Sequence, residues 1–291
     1  MDDGVDDVPR RVLVAIDHLG DFRPALSFAC HEARAAGLRI ELVHVLDESR
    51  PGPETRTACP WQECVDAAAA VVAELAGEEV EVGRSLRRGS VEDVLVDLSR
   101  GSELCVVQHR RLTRLHRIQA GSTAVAVAGR VHSRIVCVPE DWRPEKGFQG
   151  PVTVGVDAVD TEAQLLLEQA FRYASREGSA VRVLHGWTMA SPYDDALVDA
   201  RIEQDWAAAY RERLRAVLDP QRRAYPEVPV DVVLRHLAPP KALAEASTDS
   251  RLVMVGRGRM VHPLVRGLGS VPRAALQDSR CPVEVVAPHL S

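Results

Sequence analysis

The sequence predicts an α/β fold written twice, each copy a five-stranded parallel sheet with helices on both faces. Three observations predict it. Apolar strands alternate with helical segments along the whole chain, landmark residues recur in the same order in each half, and they recur at nearly constant spacing. A strand ending in Asp17 (RVLVAID) is matched by one ending in Asp157 (VTVGVD), and a strand carrying His44 (ELVHV) by one carrying His185 (VRVLHG). Gly121-Ser122 is matched by Gly269-Ser270, and the strand closed by Pro139 by one closed by Pro288. The offsets are 140, 141, 148 and 149 residues, so the chain holds two copies of one fold with small insertions in the second. Repetition at that length means tandem domains rather than a solenoid.

In the first copy, Arg11 to Asp17 is a nearly unbroken β-branched run, as a strand buried on both faces requires. Pro24 to Ala36 reads as a helix with Leu26, Ala29, Cys30 and Ala33 on one side, and Gly37 closes it. Arg39 to Leu46 is the second strand. A Pro- and Thr-rich loop from Glu48 to Pro60 leads to an apolar helix, Val65 to Ala76. Then come a strand at Val80 to Leu86, a helix at Val91 to Leu98 and a strand at Glu103 to Val107. A helix at Ser122 to Gly129 and a strand at Arg134 to Val138 complete the copy. Glu140 to Pro151, with Pro144, Gly147, Gly150 and little apolar content, is the linker; it separates domains 1–143 and 150–291.

The second copy repeats the order. Its strands are Val152 to Asp157, Val181 to His185, Val230 to Arg235, Leu252 to Val255 and Val283 to Val286. Its helices are Glu162 to Arg176, Asp195 to Leu218, Pro240 to Ala246 and Ser270 to Gln277. The Asp195 to Leu218 segment carries enough charge to predict one wet side.

Composition narrows the function. The 291 residues and 46% hydrophobic content suffice for two cores, and the net charge of −6 argues against duplex nucleic acid or an anionic membrane as the partner. Lys146 and Lys241 are the only lysines, which we read as base composition rather than chemistry. Residues 1–10 are acidic and polar, no apolar run approaches the roughly 20 residues of a membrane span, and a cytoplasmic location is expected. Cys30, Cys105, Cys137 and Cys281 lie in or beside apolar segments and read as small hydrophobes. Cys59 and Cys64 form a C-x4-C pair with no further Cys or His cluster to complete a metal site, so no metal is expected.

In an open parallel sheet, ligands collect beyond the carboxyl ends of the strands. Asp17 and Asp157 end the first strand of each copy, where a carboxylate can accept hydrogen bonds from ribose hydroxyls or an adenine amine; alternatively, each caps the helix that follows. In the second copy, Val255-Gly256-Arg257-Gly258-Arg259 leaves the fourth strand and Gly269-Ser270 opens a helix. Glycines let backbone approach an anion, and the unpaired amides of a helix start favour phosphate oxygens. Ser270 adds a hydroxyl whose default role is the N-cap. No Lys follows the glycines, so this is not a Walker A loop. Nor does a serine-and-glycine loop follow the first strand, as in adenylating pyrophosphatases of related architecture.

Strand-Asp, strand-His, then Gly-x2-Gly-x9-Gly-Ser before a last helix and the Cys281-Pro282-Val283 strand resembles the universal stress protein family. The doubling is similar to its tandem-domain members common in actinobacteria, and the resemblance covers nearly the whole chain. It implies a Rossmann-like, five-stranded domain of the adenine nucleotide alpha hydrolase type that dimerises through its last strand, with ATP bound in one subgroup and not in another. In ATP-binding members the Asp ending strand one touches adenosine, backbone at the end of strand two faces adenine, and the glycines and Ser hold phosphates. Carried onto the second copy, these positions are Gly155, Asp157, Gly186, Val255, Gly256, Gly269, Ser270 and Val271. Arg259 stands at the motif's second glycine, with Gly258 displaced by one place. In the first copy Asp17, Gly121 and Ser122 match, but Gln108 and Arg111 replace both glycines, where side chains fill phosphate space. Nucleotide binding is therefore expected in the second copy ahead of the first.

His109 to Arg117 concentrates four arginines and two histidines. No aromatic residue interleaves them to stack on bases, so a solvated loop is expected and not a nucleic-acid surface. His44 and His185 read as strand-end residues that pack or hydrogen-bond locally, and Trp61, Trp142, Trp187 and Trp206 as packing. No nucleophile stands beside a base, so binding rather than catalysis is expected, with slow ATP hydrolysis ranked last. The expected protein is a cytoplasmic stress protein whose copies pair within the chain, with further homodimerisation through other faces open. The alternative is an interaction module without nucleotide.

Overall fold

The computed structural model describes residues 10–17, 21–47, 61–109, 123–258 and 267–287. The chain divides after Pro144 into two compact units. The first holds β1 (Arg11–Ile16), α1 (Arg23–Ala36), β2 (Arg39–Leu46), α2 (Trp61–Ala76), β3 (Val82–Arg88), α3 (Val91–Ser99), β4 (Leu104–His109), α4 (Thr123–Ala128) and β5 (Arg134–Pro139). Its strands lie in the order β3-β2-β1-β4-β5, all parallel, with Val12 opposite Ile40 on one side and Leu104 on the other. A single turn, α5 (Pro144–Gly147), lies in the predicted linker. The predicted loop Glu48 to Pro60 lies outside the described residues.

The second unit holds β6 (Val152–Gly155), α6 (Thr161–Glu177), β7 (Val181–Trp187), α7 (Pro192–Ala196), α8 (Ala200–Ala224), β8 (Val230–His236), α9 (Pro239–Ala246), β9 (Leu252–Gly256), α10 (Ser270–Asp278) and β10 (Val283–Val286). Its order, β8-β7-β6-β9-β10, is that of the first unit. Parallel neighbours cannot be joined by hairpins, so each connection crosses a face of the sheet, usually as a helix. In the first unit α1 packs with α2 and α3 with α4; in the second, α6 packs with α8 and α9 with α10. The first strand of each unit is thereby enclosed on both faces. Val12, Leu13 and Val14 are inaccessible, as are Val152 and Val154. Each such side chain contributes about 1.5–3 kcal/mol by leaving water.

The predicted helix Asp195 to Leu218 is two helices. Ser191 caps α7 by accepting from the Asp194 amide. Asp199 opens α8 by accepting from the amides of Arg201 and Ile202. A chain that offers a second N-cap eight residues after the first starts again there. Ala207, Tyr210, Leu214, Leu218 and Gln221 form the buried side of α8, and the rest is the wet side its charge predicted. No helix among the described residues is long and apolar enough to cross a membrane.

Cys30, Cys105, Cys137 and Cys281 are buried and unbridged. Loss of hydration drives the Cys30 thiol up to about 11 and Cys105 up to about 12, and pushes Cys137 and Cys281 up as well. Because the thiolate is the reactive form, no more than two thiols of the native protein should react promptly with Ellman's reagent at pH 8. All six should react in guanidinium. Prompt native reaction of more than two contradicts this burial.

Candidate functional site

The second unit builds a cleft at the carboxyl edge of β6 and β9. His185, near the end of β7, donates its Nδ1–H to the Val156 carbonyl at 2.6 Å. The Tyr210 hydroxyl, from α8, donates to the carbonyls of Val156 at 3.4 Å and Asp157 at 3.2 Å. These bonds fix the backbone where β6 runs out and leave the Asp157 side chain exposed. Asp157 is not the cap of α6. Asp160 is, accepting from the Ala163 amide at 3.1 Å.

On the β9 side, Gly258 adopts φ +77°, a left-handed conformation that favours glycine. The Gly269 amide donates to the Arg257 carbonyl at 2.9 Å. A Cβ on Gly258 would lie 3.4 Å from the Gly269 Cα, so the two glycines pack backbone to backbone. Gly269 is itself the N-cap of α10 and offers no side chain. Ser270, expected as the cap, is instead the first residue of the helix. The start of α10 thus keeps its Ser270 and Val271 amides without a side-chain cap, the arrangement that favours an anion.

The cleft has a volume of about 220 Å³. Gly155, Asp157, Val255, Gly256, Gly258, Gly269, Ser270 and Val271 all line it, so the structure brings eight sequence candidates together. Ala163, Leu166 and Pro272 supply apolar wall, and Asp160 and Glu162 add two carboxylates. No Lys, Arg or His is among the described lining residues. Arg259 lies outside the described residues.

Gly186 does not line this cleft. Its backbone lies beneath the turn into α9, where a Cβ would fall 2.8 Å from the Leu237 carbonyl oxygen and 2.9 Å from the Pro239 Cα. A Cβ on Gly155 would likewise meet Leu243 of α9 at 3.1 Å. Helix packing requires a glycine near the end of β7, the position that the family resemblance assigned to backbone facing adenine. Glu162, in turn, was missed. Its signal was the helix-start pattern Asp160-Thr161-Glu162-Ala163, which places an acidic residue in the first turn.

The first unit has its own cleft of about 240 Å³ at the ends of β1, β2 and β4, lined by Asp17, Phe22, His44, Asp47 and Gln108, with Val91 and Leu95 of α3 as an apolar wall. His44 repeats the clamp of His185, its Nδ1 bonded to the Ile16 carbonyl at 2.9 Å. The N-cap of α1 is Phe22, without a side-chain bond, so Asp17 does not cap that helix either. Gln108 spans the edge and donates from Nε2 to the Asp21 carbonyl at 2.7 Å. Gly121, Ser122 and Arg111 lie outside the described residues, as does the basic stretch after His109.

In the second unit the rings of His185, Trp187, Trp206 and Tyr210 form one stack. Trp187 stacks on Trp206 at 4.4 Å, and His185 on Tyr210 at 4.0 Å. In the first unit Trp142 meets Phe28 edge-on at 6.2 Å.

A model of the universal stress protein family matches residues 9–139 and again 150–287. The chain belongs to the universal stress protein family. A universal stress protein of Mycolicibacterium smegmatis is 29% identical over 96% of this chain and 97% of its own length. One from Mycobacterium tuberculosis is 30% identical over 74% of this chain and 68% of its own. The crystal structure of a universal stress protein from Archaeoglobus fulgidus superposes with a TM-score of 0.68, at 15% identity, over 96% of this chain and 97% of that one. At that identity the superposition speaks for the fold alone. In this universal stress protein the repeated Asp and His therefore mark the same edge of two family domains.

Two outcomes follow. Gly186→Ala forces a Cβ against immovable backbone and is expected to destabilise the protein by about 1–3 kcal/mol, read from urea midpoints. An unchanged midpoint contradicts the packing role. The second outcome concerns pH. Burial holds the His185 imidazole below its usual value, against the opposing pull of the Val156 carbonyl. The unfolded chain therefore binds that proton more readily. The stability at stake is complete above about pH 6.5 and is lost as pH falls below it. Urea unfolding from pH 7.5 to 5.5 should fall less steeply for His185→Gln than for wild type, and equal slopes contradict the assignment.

Proposed function

We propose that this universal stress protein is a cytoplasmic binding protein that holds an adenine nucleotide in the cleft of its second domain and does not turn it over. One observation carries the reading: the exposed Asp157 carboxylate and the uncapped amides of Ser270 and Val271 line a single cleft whose remaining wall is largely apolar. Ribose hydroxyls or the adenine amine are donors that suit Asp157. The base suits Ala163, Leu166 and Pro272, and phosphate oxygens suit the start of α10. The recurring histidines have a structural role that suits a binding cleft, because each ties its Nδ1 to the carbonyl at the end of the neighbouring first strand, Ile16 or Val156, and so fixes the edge from which the aspartate projects. The replacement of both motif glycines by Gln108 and Arg111 in the first domain supports placing the nucleotide in the second.

Calorimetry with ATP tests the reading. Asp157→Ala and Gly269→Glu should each weaken binding at least about tenfold, the loss expected from one charged hydrogen bond or from a blocked seat. Melting temperatures within a few degrees of wild type establish that the variants are folded. Equal heats from all three proteins defeat the assignment. A second reading, an interaction module without nucleotide, draws support from the three carboxylates that line the cleft. No shift in melting temperature at millimolar ATP would carry it, since a ligand of the native state must stabilise that state.

A further inference from the structure

Glu162 lies at the second position of α6, where its side chain reaches across the cleft to the glycine turn. Its Oε1 accepts from the Gly258 amide at 3.4 Å. A Cβ built on Gly256 would land on the Glu162 carboxylate, 2.8 Å from its Cδ and 3.2 Å from its Cγ, so the side chain lies flat on the Gly256 backbone. The turn that could approach a ligand anion most closely already holds an anion, and that anion belongs to the protein.

We propose that Glu162 is a specificity-determining residue: a tethered carboxylate seated where a ligand phosphate would sit, which biases the second-domain cleft toward the nucleoside and against its phosphates. The proposal rests on the adenine-nucleotide reading above and sets its selectivity. A phosphate reaching for the Gly258 amide must evict Glu162. It must also approach Asp157 and Asp160, with no cation among the described lining residues to offset the repulsion. The first domain reaches across the same edge with a neutral group, the Gln108 amide bonded to the Asp21 carbonyl. Among the described residues, the group that spans this edge is charged only in the second domain.

The full chain is titrated by calorimetry, in buffer containing a chelator, with pyrophosphate, ADP and adenosine against wild type, Glu162→Gln and Glu162→Ala. Glu162→Gln retains an acceptor for the Gly258 amide and removes only the charge, while Glu162→Ala also empties the seat. Both variants should bind pyrophosphate and ADP about tenfold more tightly than wild type, the scale of removing one close like charge, with adenosine changed less than about twofold. Melting temperatures confirm that both variants are folded. Pyrophosphate affinity that is undetectable, unchanged or weaker in both variants overturns the proposal; weaker binding would make Glu162 a support for the anion rather than its competitor. Tighter pyrophosphate with no adenosine binding in any protein upholds Glu162 as the occupant of a phosphate seat while the adenine reading fails.

Discussion

A parallel strand enclosed by helices on both faces has no surface on which to carry polar chemistry except its ends. That constraint governs both halves of this chain. Val12, Leu13 and Val14, and their counterparts Val152 and Val154, are inaccessible. The first polar residue that each central strand can present is the aspartate just past its carboxyl end. The strand must also stop in a defined place for that aspartate to be useful. The bonds from His44 to the Ile16 carbonyl and from His185 to the Val156 carbonyl extend each ladder by one side-chain link at that point.

The two domains use the resulting edge differently. In the first, the cleft reaches beneath α3, between Val91, Leu95 and the ends of β1 and β2. In the second, α9 sits close over Gly155 and Gly186, and the cleft lies on the side of α6 and α10. Small residues at the ends of β6 and β7 let the helix descend, where Ala15 and Val45 stand in the first domain. The two clefts thus have different helices for walls while the strand order is the same.

Electrostatics separates them further. The edge of the first domain is spanned by a neutral amide, Gln108, and the edge of the second by the Glu162 carboxylate. Both bridges link the start of the first helix to the end of the fourth strand, and in both the strand side donates; the bridging side chain belongs to the strand in the first domain and to the helix in the second. The amides at the start of α10 meet three carboxylates in one cleft. Whatever enters must satisfy uncapped donors and tolerate negative charge, a pairing suited to a molecule with hydroxyl or amine donors near a polar acceptor.

The repeated Asp, His and Gly-Ser landmarks were sufficient for the fold, because burial on both faces leaves an unmistakable apolar run and the landmarks fall where the chain must leave the sheet. The strands at Arg39–Leu46 and Val283–Val286 were legible to the residue. The break between α7 and α8 was not, since a charged amphipathic stretch reads as one helix until its internal caps are seen. Asp157, Gly258, Gly269 and Ser270 were legible as neighbours because one strand end and one helix start must meet at a shared edge. Only the tertiary structure decided which glycine serves what. Gly186 yields to a helix, and Gly256 lies under a carboxylate from six residues after the β6 extension ends in Val156. Sequence spacing fixes where backbone amides point, but what occupies the space before them is set by side chains arriving from elements far along the chain.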